Sequence, residues 1–224
     1  MNIMKTIIII AFTVISAIAY AQPRVITFGA ENETDGVENP VEKNVIKISI
    51  FEILTGDFPI YYERALNDYF SAEISAGLTF GDYYGELFGD NAFSPSDQSV
   101  DARYGYSFSA ALRFYPIQSL EDFYIAPEFK YRKYNWERQV EAFTEEAPYV
   151  IEADAEESRV YSMPRITMGY VYYYDYNIIF DFHVGIGMNT PTEELFDNEE
   201  FRVIETKRNT KPRIHFGFKI GYIF

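Results

Sequence analysis

The chain ends on the stretch "RIHFGFKIGYIF", residues 213–224, in which large apolar residues occupy every second position. Strict alternation of this kind puts one set of side chains on each face of a β-strand. Soluble sheets and transmembrane strands both use the pattern, so the rest of the sequence must show whether the apolar face meets a protein core or lipid. The alternating apolar residues are Ile214, Phe216, Phe218, Ile220, Tyr222 and Phe224.

The N-terminal region indicates export. Residues 1–5 are short and positively charged, residues 6–19 form an apolar run, and residues 19–21 have the small-x-small pattern of a signal-peptidase site. The apolar run is shorter than the ~20 residues that a membrane-spanning helix needs. We therefore expect a signal peptide at residues 1–21, followed by an acidic, flexible segment at residues 22–43. The absence of cysteine excludes a disulfide framework.

The remaining residues, 44–224, have the composition and periodicity of a transmembrane β-barrel. Aromatic residues make up 18% of the chain, yet its mean hydropathy is only −0.17, as expected when half of each strand faces lipid and half faces inward. Eight segments alternate with period 2, and none has a useful helical period. The predicted strands are residues 44–53, 58–65, 70–80, 103–115, 123–136, 160–172, 176–188 and 213–224.

The connections between these segments indicate the topology. After the second strand, short connections near Asn67, residues 116–122 and Asp175 alternate with long ones. Outer-membrane barrels have short periplasmic turns and longer extracellular loops. The prediction is therefore an all-β, eight-stranded antiparallel transmembrane β-barrel with long extracellular loops and short periplasmic turns. The long connections are residues 81–102, 139–159 and 189–212.

The two faces of the strands differ in size, which predicts the side that faces inward. The interior of an eight-stranded barrel is just wide enough for side chains, so the bulky aromatic face fits only outside. The alternative, a secreted lipocalin-like barrel, would have to pack all those rings inside. We expect the polar face to fill the lumen with ion pairs, with Asp181 opposite Lys219 on adjacent strands. The predicted lumen residues are Lys47, Glu63, Glu73, Arg103, Arg113, Glu128, Lys130, Arg132, Arg165, Asp181, His183 and Lys219.

The terminal strand resembles the C-terminal assembly signal of outer-membrane β-barrel proteins, because Phe224 is last and apolar residues alternate before it. The resemblance implies that the barrel-assembly machinery binds this strand during biogenesis, through Phe216, Phe218, Ile220, Tyr222 and Phe224. From Asn44 onward the chain resembles small eight-stranded outer-membrane barrels. The stretch "NVIKISIFEILTGDFPIYYERALNDYFSAEISAGLTF", residues 44–80, is similar to an uncharacterised outer-membrane β-barrel family, including its "YYERAL". The resemblance implies an integral protein of the outer membrane of a Gram-negative bacterium, in contact with lipid and lipopolysaccharide.

Three functions are compatible with such a barrel, because a fold does not determine an activity. The first is a structural or interaction protein with a filled, non-conducting lumen, and the second is an accessory subunit of a larger outer-membrane complex. The third is a lipid-modifying hydrolase or acyltransferase, in which His183, oriented by Asp181, activates Ser107 or Ser109. No local motif marks a nucleophile, so we predict no catalytic residue, no cofactor and no metal site.

The acidic residues concentrate in the predicted loops, so partners are expected there. Residues 141–158 and 192–200 contain several carboxylates and no Lys or Arg, which favours solvated loops, divalent-cation binding or recognition of another outer-membrane protein. Nucleic acid is not expected as a partner, because its binding requires basic patches. We predict a raised hairpin around residues 139–159 as the binding surface, with residues 131–138, "YRKYNWER", forming an aromatic girdle below it.

Overall fold

The computed structural model describes residues 44–83, 100–144, 147–174, 177–197 and 202–224. Residues 140–144 and 147–153 are described by their backbone alone. The predicted signal peptide and N-terminal segment lie outside the described residues. The elements are β1 (Asn44–Ser49), α1 (Ile50–Leu54), β2 (Asp57–Ala65), β3 (Phe70–Phe80), β4 (Val100–Phe114), β5 (Asp122–Thr144), β6 (Ala147–Tyr173), β7 (Ile178–Asp197), β8 (Arg202–Lys207) and β9 (Lys211–Ile223).

Eight of the nine strands close into an antiparallel barrel. Neighbours in sequence pair from β1 to β7, β7 pairs with β9, and β9 returns to β1. The predicted all-β, eight-stranded antiparallel barrel is confirmed, and so is the register that sets Asp181 opposite Lys219. The strand β8 lies outside the ring and pairs with β7. Among the described residues, no helix is long and apolar enough to span a membrane.

Period-2 alternation builds the wall of the barrel. In β1, Ile46 and Ile48 are 45% and 44% exposed, whereas Lys47 and Ser49 between them are buried. The same pattern repeats in the other barrel strands, so large apolar side chains project outward and polar ones project inward. This arrangement reverses that of a soluble barrel, in which the apolar side chains fill the interior.

The first predicted strand is wrong in its second half. It ends at Ser49, and the next residues form the short helix α1 instead of continuing to Ile53. The helix turns Glu52 into the lumen, where its carboxylate meets two cations. Gly56 then reverses the chain with φ of 79°, and a Cβ there would lie 2.3 Å from the Gly81 carbonyl oxygen.

Two of the predicted long loops consist largely of paired strand, which agrees with the predicted hairpin at residues 139–159 but not with the loop predicted at residues 189–212. The strands β5 and β6 stay paired up to Thr144–Ala147, with a register shift between Ala142 and Thr144, so residues 139–144 and 147–159 form antiparallel strands. Residues 189–212 contain the end of β7 and all of β8. Of the third long connection, residues 81–102, the part at 84–99 lies outside the described residues.

We call the end of the barrel with Asn44 and Phe224 the terminal end, and the opposite end the distal end.

Apolar side chains close both ends of the lumen. At the terminal end, Tyr115 and Tyr124 pack with aliphatic residues of five strands and the β4–β5 turn. At the distal end, Tyr134, Trp136 and Tyr161 pack around Met163. Between these two clusters lies the polar interior. The aliphatic members of the terminal cluster are Val45, Leu120, Ala126, Val171, Ile179 and Ile223.

Candidate functional site

The middle of the lumen holds a cluster of three cations and three carboxylates, all at most 2% exposed. Lys47 lies 2.8 Å from Asp181 and 3.1 Å from Glu73, and it also contacts Glu63. The Arg113 guanidinium bridges Glu73 at 2.5 Å and Asp181 at 2.7 Å. The sixth member, Lys219, pairs with Glu73 at 2.6 Å rather than with Asp181 opposite it in the register.

Tyrosines complete the hydrogen bonding of this central cluster. The Tyr115 hydroxyl donates to Glu63 at 2.8 Å, and the Tyr124 hydroxyl donates to Asp181 at 2.7 Å. The Lys219 ammonium lies 3.7 Å from the ring centroid of Tyr61, within the range of a cation–π contact. Buried charges are tolerated when they are paired and hydrogen-bonded in this way. The central cluster is therefore a compact, neutral packing layer.

A second cluster lies nearer the distal end and joins α1 to the barrel wall. Arg132 binds both Glu52 and Asp57 at 2.7 Å. Lys130 lies 3.1 Å from Glu52 and 3.0 Å from Asp57, so two cations again face two carboxylates. A separate pair, Arg165 with Glu128 at 2.5 Å, lies on the neighbouring wall.

Arg103 does not belong to the lumen, contrary to the sequence prediction. Its side chain is 56% exposed and pairs with Glu137 outside the barrel. The cause is a register irregularity between Arg103 and Tyr106, where β4 bulges against β5. An extra residue in one strand reverses the face of every residue beyond it. Ala102 therefore takes the inward parity, opposite the buried Trp136.

The predicted girdle at residues 131–138 is also wrong in part. Tyr134 and Trp136 point into the barrel and are 1% exposed, whereas Tyr131 stacks outside on Phe108 with centroids 4.8 Å apart. The Trp136 indole donates a hydrogen bond to Glu157 at 2.7 Å. These inward rings close the distal end of the lumen instead of forming a membrane girdle.

Glu157 joins three strands at the distal end. Its carboxylate accepts hydrogen bonds from the Trp136 indole at 2.7 Å, from Arg138 at 2.8 Å and from the backbone N–H of Phe196 at 3.1 Å. These donors lie on β5 and β7, with Glu157 on β6 between them. Nearby on β7, Glu194 accepts a hydrogen bond from Ser158 at 2.5 Å, and this bond lowers the pKa of the Glu194 carboxyl.

The groups considered for catalysis are engaged elsewhere. Ser107 donates to Asp57 at 2.5 Å, and Ser109 shares a hydrogen bond with Ser75 at 2.6 Å. The His183 Nδ1 lies 3.8 Å from Asp181, beyond hydrogen-bond length. Each serine hydroxyl is therefore bound to a group other than histidine.

The carboxylates of Glu63, Glu73 and Asp181 come within 4.8 Å of one another, a spacing that suits a metal ion. Three cations already occupy the space between them: Lys47, Arg113 and Lys219. Because the positive charge needed by this trio comes from side chains, the cluster has the chemistry of a structural ion-pair network.

The residues of the predicted assembly signal differ in exposure. Phe216, Tyr222 and Phe224 are 71%, 56% and 47% exposed. Phe218 is 6% exposed, because the Phe180 and Phe182 rings lie against it with centroids 5.8 and 4.7 Å away. Ile220 is half-buried. The terminal strand thus presents an apolar face on the outside of the barrel.

Several interior residues were missed by sequence reasoning. Glu52 lay inside a segment interpreted as strand, and Asp57 lay in a predicted turn, so neither entered the inward set. Asp82, fully buried, accepts hydrogen bonds from Arg159 and Tyr161 at 2.8 and 2.7 Å. Asp57 and Asp82 share one signal, a carboxylate directly after a glycine at the distal end, which is too weak to assign a face from sequence alone.

The geometry defines a closed eight-stranded antiparallel barrel with a filled, ion-paired interior. No protein-family model matches the chain, and no curated protein matches its sequence. The similarity of residues 44–80 to an outer-membrane barrel family therefore stays a prediction.

Proposed function

We propose that this chain is an integral outer-membrane β-barrel that does not conduct and that acts as a structural or interaction protein through its distal end. The observation that carries the proposal is the inversion of the barrel. Its outward apolar side chains are as much as 73% exposed, at Tyr104, while charged groups such as Lys47 are buried. Soluble monomers rarely expose contiguous apolar patches above a few hundred Å², whereas a lipid-facing apolar band with a polar interior is typical of outer-membrane barrels.

The filled lumen supports the absence of a pore. Two apolar clusters close its ends, and the ion-paired layers between them leave the cations and carboxylates bound to one another. Opening a conducting path would require separating buried ion pairs, and removing one partner of such a pair costs ~3–5 kcal/mol. The ion-paired interior therefore favours a closed lumen.

The experiment is a planar-bilayer recording of the purified, refolded barrel, with a trimeric porin as positive control. We expect no steady open-channel current at any applied voltage that the bilayer withstands. A reproducible conductance step of fixed size, seen in independent preparations, would contradict the proposed filled lumen. Gel mobility before and after boiling shows beforehand that the sample is folded.

The distal end supports the interaction role. Here β5 stays paired with β6 beyond Trp136–Glu157 as far as Thr144–Ala147, and β7 pairs with β8 from Thr192–Lys207 to Asp197–Arg202. The two strand pairs are joined by the β6–β7 ladder, which ends at Ser158–Glu194; we call this four-strand region the raised sheet. An extended sheet offers side chains and strand edges to a partner. If the partner is bound permanently, the chain is an accessory subunit of a larger outer-membrane complex, the second candidate function.

A further inference from the structure

The strand β8 is the edge of the raised sheet. It pairs with β7 from Thr192–Lys207 to Asp197–Arg202, and β7 is its one neighbour among the strands that the structure describes. Five of its six residues are exposed, and Ile204 is half-buried. A strand edge presents a row of backbone donors and acceptors that another strand can pair with.

This open edge exists because β1 is short. β9 and β8 both pair with β7 and follow each other along it, separated by residues 208–210. On its other side β9 pairs with β1 only as far as Ser49–Lys219, where β1 gives way to α1. The helix α1 packs against β9 and β2 in the space that a longer β1 would occupy. Beyond α1, no described strand lies beside β8.

The stretch that contains this edge is basic, although the whole chain is acidic. The net charge of the protein is −15, but residues 202–213, "RVIETKRNTKPR", contain five basic residues and one acidic residue. One of the basic residues, Arg208, pairs with Glu193 at 2.8 Å, and Lys207 is exposed at the end of β8. Electrostatic complementarity steers association and selects among partners.

We propose that β8 binds an extended, acidic segment of another protein, which adds a strand to the raised sheet. Backbone hydrogen bonds along residues 203–207 supply the affinity, and the exposed Lys207 at the end of the edge selects acidic sequences. This inference deepens the proposed function. It rests on that function only for the side of the membrane on which the partner lies. Strand addition itself requires only the folded barrel.

A second copy of this chain is a poor occupant of the same edge. Antiparallel pairing of β8 with itself would set Lys207 opposite Arg202 of the other copy, and like charges directly opposite are destabilising. Lysine on an edge strand also discourages pairing with another edge, whereas a carboxylate directly opposite it stabilises the pair. The edge is therefore selective for an acidic strand.

The test uses the full barrel in zwitterionic detergent micelles and a fluorescein-labelled peptide of alternating Glu and Val. Two control peptides each keep one property. The Glu–Val peptide with N-methylated amides keeps the negative charge but cannot form the backbone hydrogen bonds of a strand. A Lys–Val peptide can form those hydrogen bonds but carries positive charge. Fluorescence anisotropy should show saturable binding of the Glu–Val peptide only. Lys207→Glu should weaken it about tenfold by replacing attraction with repulsion.

Arg103→Glu is the matched variant, because it makes the same change of charge at an exposed position on β4, which β5, β6 and β7 separate from β8. We expect its affinity for the Glu–Val peptide to equal that of the unmodified barrel. Equal binding of the N-methylated peptide would overturn the proposal in favour of a merely anionic ligand, such as a lipid headgroup. If none of the three peptides binds, the proposal is also overturned. The peptide measurements need no membrane, so their outcome is independent of the bilayer recordings. Either the strand-addition proposal or the proposed closed lumen can be contradicted while the other stands.

Discussion

Lys47 contacts three buried carboxylates at once, so it is the residue at which the ion-paired interior is most directly tested. Lys47→Met keeps the length of the side chain and removes its charge, which leaves Glu63, Glu73 and Asp181 with an uncompensated negative charge. We expect the free energy of unfolding to fall by ~3–5 kcal/mol. Urea titration followed by gel mobility without boiling measures the change.

The control for this variant is Arg103→Met. Arg103 forms a solvent-exposed pair, and such pairs contribute little to stability, so its urea midpoint should match that of the unmodified barrel. If Lys47→Met unfolds at that same midpoint, the central cluster does not stabilise the fold. If Arg103→Met is the more destabilised of the two, the assignment of inside and outside on β4 is wrong.

Gly217 has no room for a side chain because His183 lies over it. A Cβ at Gly217 would stand 2.0 Å from the His183 Cε1, and the two residues face each other on β9 and β7. Gly217→Ala should therefore lower the free energy of unfolding by ~1–3 kcal/mol, as overpacking does. Adding His183→Ala to that variant should recover part of the loss. A double variant less stable than Gly217→Ala alone would contradict this contact.

Alternation is sufficient to assign the faces of most residues, because the side-chain period of a strand is fixed at two. It places residues such as Ile46 outside and Lys47 inside without any tertiary information. It fails at Arg103, because a bulge reverses the parity and leaves no mark in the hydrophobic pattern. It also fails at Glu52, because the short helix that carries this residue has the apolar composition of a strand.

At the scale of elements, the β5–β6 hairpin continues the barrel wall instead of ending in a loop. The sequence predicts a raised hairpin at residues 139–159, but it does not separate the part that packs from the part that projects. The structure does, because Glu157 accepts hydrogen bonds from β5 and β7 and its side chain is 2% exposed. That distinction depends on contacts between strands far apart in the chain, which no local pattern encodes.

The hairpin can therefore be shortened without unfolding the barrel if Glu157 is kept. Replacing residues 141–152 by Asn-Gly joins the paired Val140 and Ala153 by a two-residue turn of the kind that suits a hairpin. We expect this variant to show unchanged heat-dependent gel mobility. Replacing residues 141–157 should instead destabilise the distal end, because it removes Glu157.

The two deletions also separate binding from folding. A partner that copurifies with the complete barrel through the hairpin should be lost from the 141–152 replacement while the barrel stays folded. A partner retained at full occupancy would show that the hairpin is not its binding surface and would leave the edge of β8 as the candidate. Equal stability of the two deletions would contradict the role of Glu157.

At the scale of the whole molecule, the central claim is that the outer face of the barrel meets lipid and that the interior admits neither lipid nor bulk water. The chain contains no cysteine, so spin labels can be attached to single introduced cysteines without background. Along β4, Tyr106, Phe108 and Leu112 are exposed outward, and Ser107 and Ser109 are buried inward. The two sets interleave on a single strand, so each label has a neighbour of opposite face as its control.

The most direct measurement is the accessibility of these labels to oxygen and to a water-soluble nickel complex, by power-saturation electron paramagnetic resonance in phospholipid vesicles. Oxygen concentrates in lipid, so labels at Phe108 and Leu112 should relax strongly with oxygen and weakly with nickel. A label at Ser107 or Ser109 should relax weakly with both reagents. Strong relaxation by nickel at Phe108 would show that the apolar face meets water, and strong relaxation by nickel at Ser109 would show an open lumen; either result would contradict the proposed membrane-embedded, filled barrel.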